Sequence, residues 1–88
     1  MENDSIKVYG TRWCWDCHRA KKILKDYHIA YEWIDIDRDA EAKDFVGTVN
    51  NGNFVVPTIV FIDGSTLSEP SNRELKNKLD QEINSKDA

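Results

Sequence analysis

The sequence predicts an α/β fold: a mixed four-stranded sheet with helices on both faces, in the order β-α-β-α-β-β-α. Three observations predict it. Residues 5–9, 31–36 and 55–62 alternate in polarity or are dense in β-branched and aromatic side chains, which reads as strands. Residues 14–27, 40–49 and those from Ser71 onward place apolar side chains three and four apart, which reads as helices. Asp63-Gly64 is a two-residue hairpin signal that leads into a short strand around Thr66-Leu67.

In the first strand Ile6 and Val8 share a face, and Gly10-Thr11-Arg12 ends it. In the first helix Ala20, Ile23, Leu24 and Tyr27 form one apolar stripe, with Lys21, Lys22 and Lys25 off it as a solvated face. Tyr31 to Ile36 is the second strand, where Trp33 is expected to pack against a helix. Asp39 is placed to cap the second helix, whose inner face reads as Ala42, Phe45 and Val49. Asn50 to Asn53 is a loop. The run Val55 to Ile62 reads as a central strand, with Pro57 at its start because proline has no ladder N–H. Ser71 and Glu74 have capping-box spacing, and Leu75, Leu79 and Ile83 line the last helix, with 85–88 as a frayed end. The first strand–helix–strand unit requires parallel pairing through a right-handed crossover, and the hairpin adds an antiparallel pair.

A chain of 88 residues is expected to be a single domain, 1–88, with one modest core. The net charge of −4 argues against nucleic acid as the main partner, because phosphate binding rests on clustered Lys and Arg. No stretch approaches the ~20 apolar residues of a membrane span. The acidic start Met-Glu-Asn-Asp-Ser is not followed by an apolar run, so no secretory signal is read and a cytoplasmic monomer is expected.

The only two cysteines are Cys14 and Cys17, in Cys14-Trp15-Asp16-Cys17. A bridge across two intervening residues closes almost no loop and so staples little. In a reducing compartment such a pair points to redox chemistry. The pair follows a strand and opens a helix, where unpaired N–H groups and the helix dipole favour a thiolate. Arg12 would add to that effect, and Asp16 would oppose it. Cys14 is the expected nucleophile, partly exposed. Cys17, one turn further on the same face, is the expected resolving thiol.

Two other chemistries use the same residues. A zinc site needs four ligands, and beyond the cysteines the chain has only His18, His28 and carboxylates. Cys14-Trp15-Asp16-Cys17-His18 also satisfies the haem-attachment pattern, with His18 as axial ligand and His28 as the sole plausible second one, since Met1 is the only methionine. The plainer reading of His18 is a partly exposed helix residue. An iron–sulfur cluster on Cys14, shared between two protomers, is a further alternative.

Several segments together are similar to glutaredoxins of the thioredoxin superfamily. They are Val8-Tyr9, Trp13-Cys14-Trp15-Asp16-Cys17, Val55-Val56-Pro57-Thr58, Phe61-Ile62-Asp63-Gly64 and the Ser71 helix start. The resemblance spans about residues 5–80. Phe45 to Asn53, Asp63-Gly64-Ser65-Thr66-Leu67 and Pro70-Ser71 look like the mycoredoxin branch, which uses mycothiol. The resemblance implies a thioredoxin fold, a cis Pro57 facing the cysteine pair, and a Val56 backbone free to pair with an extended substrate. Carried over by position, it makes Arg12, Val56, Ser71 and Asn72 the walls of a thiol-cofactor groove, the last two at a helix N-terminus suited to a carboxylate. Trp13 and Trp15 flank the nucleophile and cannot both be buried, so exposed aromatic surface for partner docking is expected.

The implied activity is reduction of protein disulfides, or of mixed disulfides with a low-molecular-weight thiol. No cofactor is tightly bound; glutathione or mycothiol would act as co-substrate, or thioredoxin reductase would recycle the dithiol. A rival within the class is an electron donor to ribonucleotide reductase. The chain departs from common glutaredoxins in having Trp15-Asp16 where they have Pro-Tyr, and Glu69-Pro70 where they have Gly-Gly. The resemblance therefore fixes neither the reduction potential nor the choice of thiol.

Overall fold

The computed structural model describes the backbone of residues 5–87 and the side chains of residues 5–83. The acidic start, Met1 to Asp4, and Ala88 lie outside them. The elements run β1 (Ile6–Gly10), α1 (Trp15–Asp26), β2 (Tyr31–Asp35), α2 (Ala40–Val49), β3 (Thr58–Val60), β4 (Thr66–Ser68) and α3 (Asn72–Asp87). The sheet order is β2-β1-β3-β4. β1 and β2 are parallel, with Val8 opposite Trp33 and Gly10 opposite Asp35. β3 is antiparallel to both β1 and β4. The predicted fold class is the observed one.

The two sides of the sheet have separate cores. On one side Ile6, Val8 and Ile59 of the sheet pack with Ala20, Ile23 and Leu24 of α1 and Leu75 and Leu79 of α3. On the other side Tyr9, Ile34 and Val56 close over Ile36, Ala42 and Val46. Alternation along β1 sends Ile6 and Val8 to the first core and Tyr9 to the second. Each fully buried aliphatic side chain contributes about 1.5–3 kcal/mol.

Four local readings change. The third strand is three residues, not eight. Pro57 donates nothing to a ladder, and at Phe61 the chain already turns, its N–H donating to the Ser65 carbonyl at 2.8 Å. Asp63-Gly64 is the latter part of a three-residue connection: the Gly64 N–H donates to the Phe61 carbonyl at 2.9 Å, and Gly64 takes the positive φ of 89°. On α2 the fully buried residue is Val46, while Phe45 lies sideways against Tyr9 with ring centroids 4.9 Å apart. The last helix continues to Asp87, and Ile83 is exposed rather than part of its apolar face.

Candidate active site

The loop between β1 and α1 places both cysteines at the C-terminal edge of the sheet, where α/β folds gather their reactive groups. Cys14 is the N-cap of α1. Its backbone is extended (φ −84°, ψ 114°), and its Sγ accepts the Cys17 N–H at 3.1 Å. The Cys14 thiol also faces the Val56 carbonyl oxygen at 3.9 Å. The Val56–Pro57 peptide is cis, as the resemblance implied. The cysteine pair and the cis-proline segment thus meet across the site.

The two sulfurs differ. Cys14 retains 7% exposure, less than the partly exposed nucleophile expected, because the Cys17 amide and the Val56 carbonyl crowd its sulfur. Cys17 has none. Burial, followed by its hydrogen bond with the Cys14 sulfur, pushes the Cys17 thiol up to about 12; the Thr11 backbone and the Lys21 charge pull the other way. The Thr11 hydroxyl is buried beside them without a partner among the described residues.

Trp13 and Trp15 are both exposed, at 74% and 80%, so the surface around Cys14 is aromatic. The Trp13 indole N–H donates to Asp37 at 3.1 Å, and a polar hollow lined by Arg12, Trp13, Asp35, Asp37 and Arg38 adjoins it. Asp16 does not stand as a free anion beside the nucleophile: Arg19 pairs with it at 3.0 Å and also donates to Asn72 at the start of α3. The Ser71 hydroxyl accepts the Glu74 N–H at 3.1 Å, while Glu74 accepts the Ser71 N–H at 2.8 Å. The side chains of Ser71 and Asn72 are therefore already engaged. His18 donates from Nε2 to the Arg12 carbonyl at 2.9 Å. Among the described residues no three His, Cys, Asp or Glu side chains converge to hold a metal.

Several contributors escape a linear reading. A β-carbon on Gly10 would collide with the Cys17 sulfur and lie 2.8 Å from the Trp33 ring, so the strand end is bare to seat the second thiol. Lys21 is not on a solvated face: its Nζ lies 3.9 Å from the Trp33 ring centroid. Behind the proline, buried Thr58 donates to the Val55 carbonyl at 2.7 Å and accepts from Asn50 at 3.1 Å, while Ser68 donates to Asn50 at 2.6 Å. Each of these joins residues far apart along the chain, so no local spacing signals it.

A glutaredoxin family model matches residues 6–67. The chain belongs to the glutaredoxin family. This glutaredoxin is 48% identical over 79 residues to a Mycobacterium tuberculosis protein with a provisional glutaredoxin name, covering 90% of this chain and 94% of the relative. It is 36% identical over 76 residues to mycoredoxin 1 of Corynebacterium glutamicum, covering 86% and 94%. Among solved structures it is similar to the thioredoxin-like protein BC3987 in a mutant form (TM-score 0.75, 29% identity, 85% of this chain and 99% of that one). It is also similar to a glutaredoxin from Archaeoglobus fulgidus (TM-score 0.69, 25% identity, 86% of each). The fold is thioredoxin-like and the glutaredoxin is a thiol–disulfide oxidoreductase.

Proposed function

We propose that the protein reduces disulfides by a dithiol route in which Cys14 attacks and Cys17 resolves. The observation that carries the reading is the position of Cys14 Sγ: it caps α1, accepts the Cys17 amide and faces the Val56 carbonyl. Amides aimed at a sulfur hold negative charge there. The Cys14 thiolate attacks one sulfur of a substrate disulfide, forming a mixed disulfide and expelling the other sulfur as a thiolate. Cys17 then gives up its proton and attacks Cys14; the bond to the substrate breaks, and its electron pair leaves on the second thiolate. Two electrons pass from the protein to the substrate, and the protein keeps an internal disulfide.

Arg12, Trp13, Trp15, Val56 and Pro57 form the substrate side of the site. The exposed indoles cover apolar flanks of a disulfide-bearing segment, and the Val56 backbone pairs with its main chain. At the start of α3 the side chains of Ser71 and Asn72 are occupied, leaving backbone N–H groups as the contact for a thiol-cofactor carboxylate. The likeness to mycoredoxin 1 favours mycothiol over glutathione as the recycling thiol. On this reading residues 1–88 act as one monomeric cytoplasmic domain, with proteins and thiol-mixed disulfides as substrates.

The test is Cys17→Ser. It is expected to trap a protein substrate on Cys14, seen as a reducible adduct by mass spectrometry, while still turning over a thiol-mixed disulfide. Loss of both activities, with turnover of the native protein only through thioredoxin reductase, would move the assignment to a donor recycled by that enzyme.

A further inference from the structure

The resolving step asks Cys17 to become an anion away from the protein surface. The thiol is fully buried. The question is what compensates the charge at the moment of attack.

Lys21 is one turn beyond Cys17 on α1, so the two side chains share a face. It differs from its neighbours on that helix. Lys22 is exposed and pairs with Asp26 at 3.2 Å, and Lys25 is exposed. Lys21 is half-buried, and no carboxylate pairs with it among the described residues. Its ammonium rests instead on the face of Trp33, 3.9 Å from the centroid. The edge of that same ring and the Cys17 sulfur converge on the space above Gly10. The Trp33 ring therefore touches the cation on its face and, at its edge, the space over Gly10 that holds the sulfur. Among the described residues the charged or titratable groups that act on Cys17 are Cys14, the N-cap of α1, and Lys21 on α1 itself. The loop supplies the Thr11 backbone, and the strands bring Gly10 and the edge of the Trp33 ring to the sulfur.

We propose that Lys21, held over Trp33, is the positioning cation that stabilises the Cys17 thiolate while it attacks the mixed disulfide on Cys14. The inference rests on the reading of Cys17 as the resolving thiol. Trp33 keeps the ammonium from swinging out to a surface carboxylate, and Gly10 keeps the sulfur and ring close. Once the disulfide forms, the sulfur is neutral and the cation has no further role. Lys21 thus acts on the step that releases substrate and leaves the capture step on Cys14 alone. The Lys21 charge lowers the Cys17 thiol, against the upward push of burial.

The experiment is stopped-flow release of a fluorescent peptide thiol from a preformed mixed disulfide on Cys14, between pH 6 and pH 10. Lys21→Met is expected to slow release about fivefold at pH 7 and to move the alkaline rise of the rate to higher pH. Lys21→Arg, which keeps a charge that stacks on an indole, is expected to stay within about twofold of the native rate. Lys22→Met removes the same charge from the same helix but not from the Trp33 ring, and is expected to match the native rate. Native release by Lys21→Met, equal slowing by Lys22→Met, or no rescue by Lys21→Arg would each overturn the proposal. Capture is measured separately in Cys17→Ser with and without Lys21→Met, with equal rates expected; equal slowing of capture would make Lys21 a merely structural residue. Failure of Cys14 to form any mixed disulfide would instead remove the assignment of Cys14 as nucleophile and Cys17 as resolving thiol beneath it.

Discussion

The first turns of α1 and α3 make the same backbone demand and meet it with different atoms. Each helix begins with N–H groups that its own ladder cannot satisfy. In α3 the acceptor is the Ser71 hydroxyl, reinforced by the return bond from Glu74. In α1 the acceptor is the Cys14 sulfur, 3.1 Å from the Cys17 amide. A thiol is a weak acceptor and a hydroxyl a good one. α3 is capped for stability. α1 gives up part of that stability, and in return its Cys17 amide points at an atom that gains from carrying charge. The cap of α2, where Asp39 accepts the Ala42 N–H at 3.0 Å, follows the α3 pattern. The helix with the poorest capping atom is the one that carries the chemistry.

The two caps part furthest at Cys14→Ser. A serine fits the extended N-cap backbone at this position and accepts the same amide. The variant is expected to lose disulfide-reductase activity by about a thousandfold or more, since an alcohol does not exchange with disulfides under these conditions. Its stability to urea is expected to stay level or rise by about 0.5 kcal/mol. Activity assay and urea midpoint on the same preparation check both halves. A stability loss of several kcal/mol would show that the sulfur is a packing group rather than a substituted cap.

The second effect separates Cys14 from its neighbour. Cys17 ionises near 9.0 when unfolded and only at about 12 when folded. Above pH 9 the unfolded chain therefore binds fewer protons than the folded one, so stability falls as pH rises. The contribution is complete below pH 9 and is lost by about pH 12. Under reducing conditions the native protein is expected to lose roughly 2–4 kcal/mol more than Cys17→Ser over that window. Urea midpoints at pH 8, 9.5 and 11 provide the measurement. Parallel curves for the two proteins would place the Cys17 sulfur in contact with water.

The parts of the molecule that could be read in advance are those set by local chemistry. Alternation in β1, the Asp39 cap, the Ser71–Glu74 box and the Cys14–Cys17 spacing each involve residues within a few positions of one another, so the pattern is visible along the chain. Strand β3 is shorter than its sequence predicts: Val55 and Val56 have strand-like side chains, but the missing N–H of Pro57 and the turn at Phe61 limit the ladder. The inner face of α2 differs from the one the spacing predicts because Phe45 finds a sideways partner in Tyr9 and because Gly47 makes room for the Phe54 ring, 2.9 Å from where a β-carbon would sit. In the site, Lys21 looked like one lysine among three. What distinguishes it is a tryptophan on another strand, and that depends on the packing of α1 on the sheet rather than on spacing. The Thr58–Asn50–Ser68 network was hidden for the same reason, since its members come from β3, the end of α2 and β4.

At the α3 cap the effect is smaller still. Ser71→Ala removes the acceptor for the Glu74 N–H and leaves Glu74 with only its own half of the box. The expected loss is about 1 kcal/mol, the ordinary worth of a hydroxyl cap. Glycine at the same position is expected to lose only a few tenths, because water then reaches the open amides. The two substitutions also test the cofactor groove. If the start of α3 meets a thiol-cofactor carboxylate through its backbone amides, Ser71→Gly frees one more of them, and KM for a mycothiol mixed disulfide should stay level or fall while kcat holds. A rise in KM of about tenfold in both variants would instead assign the binding contact to the hydroxyl itself, and α3 would then serve function as directly as α1 does.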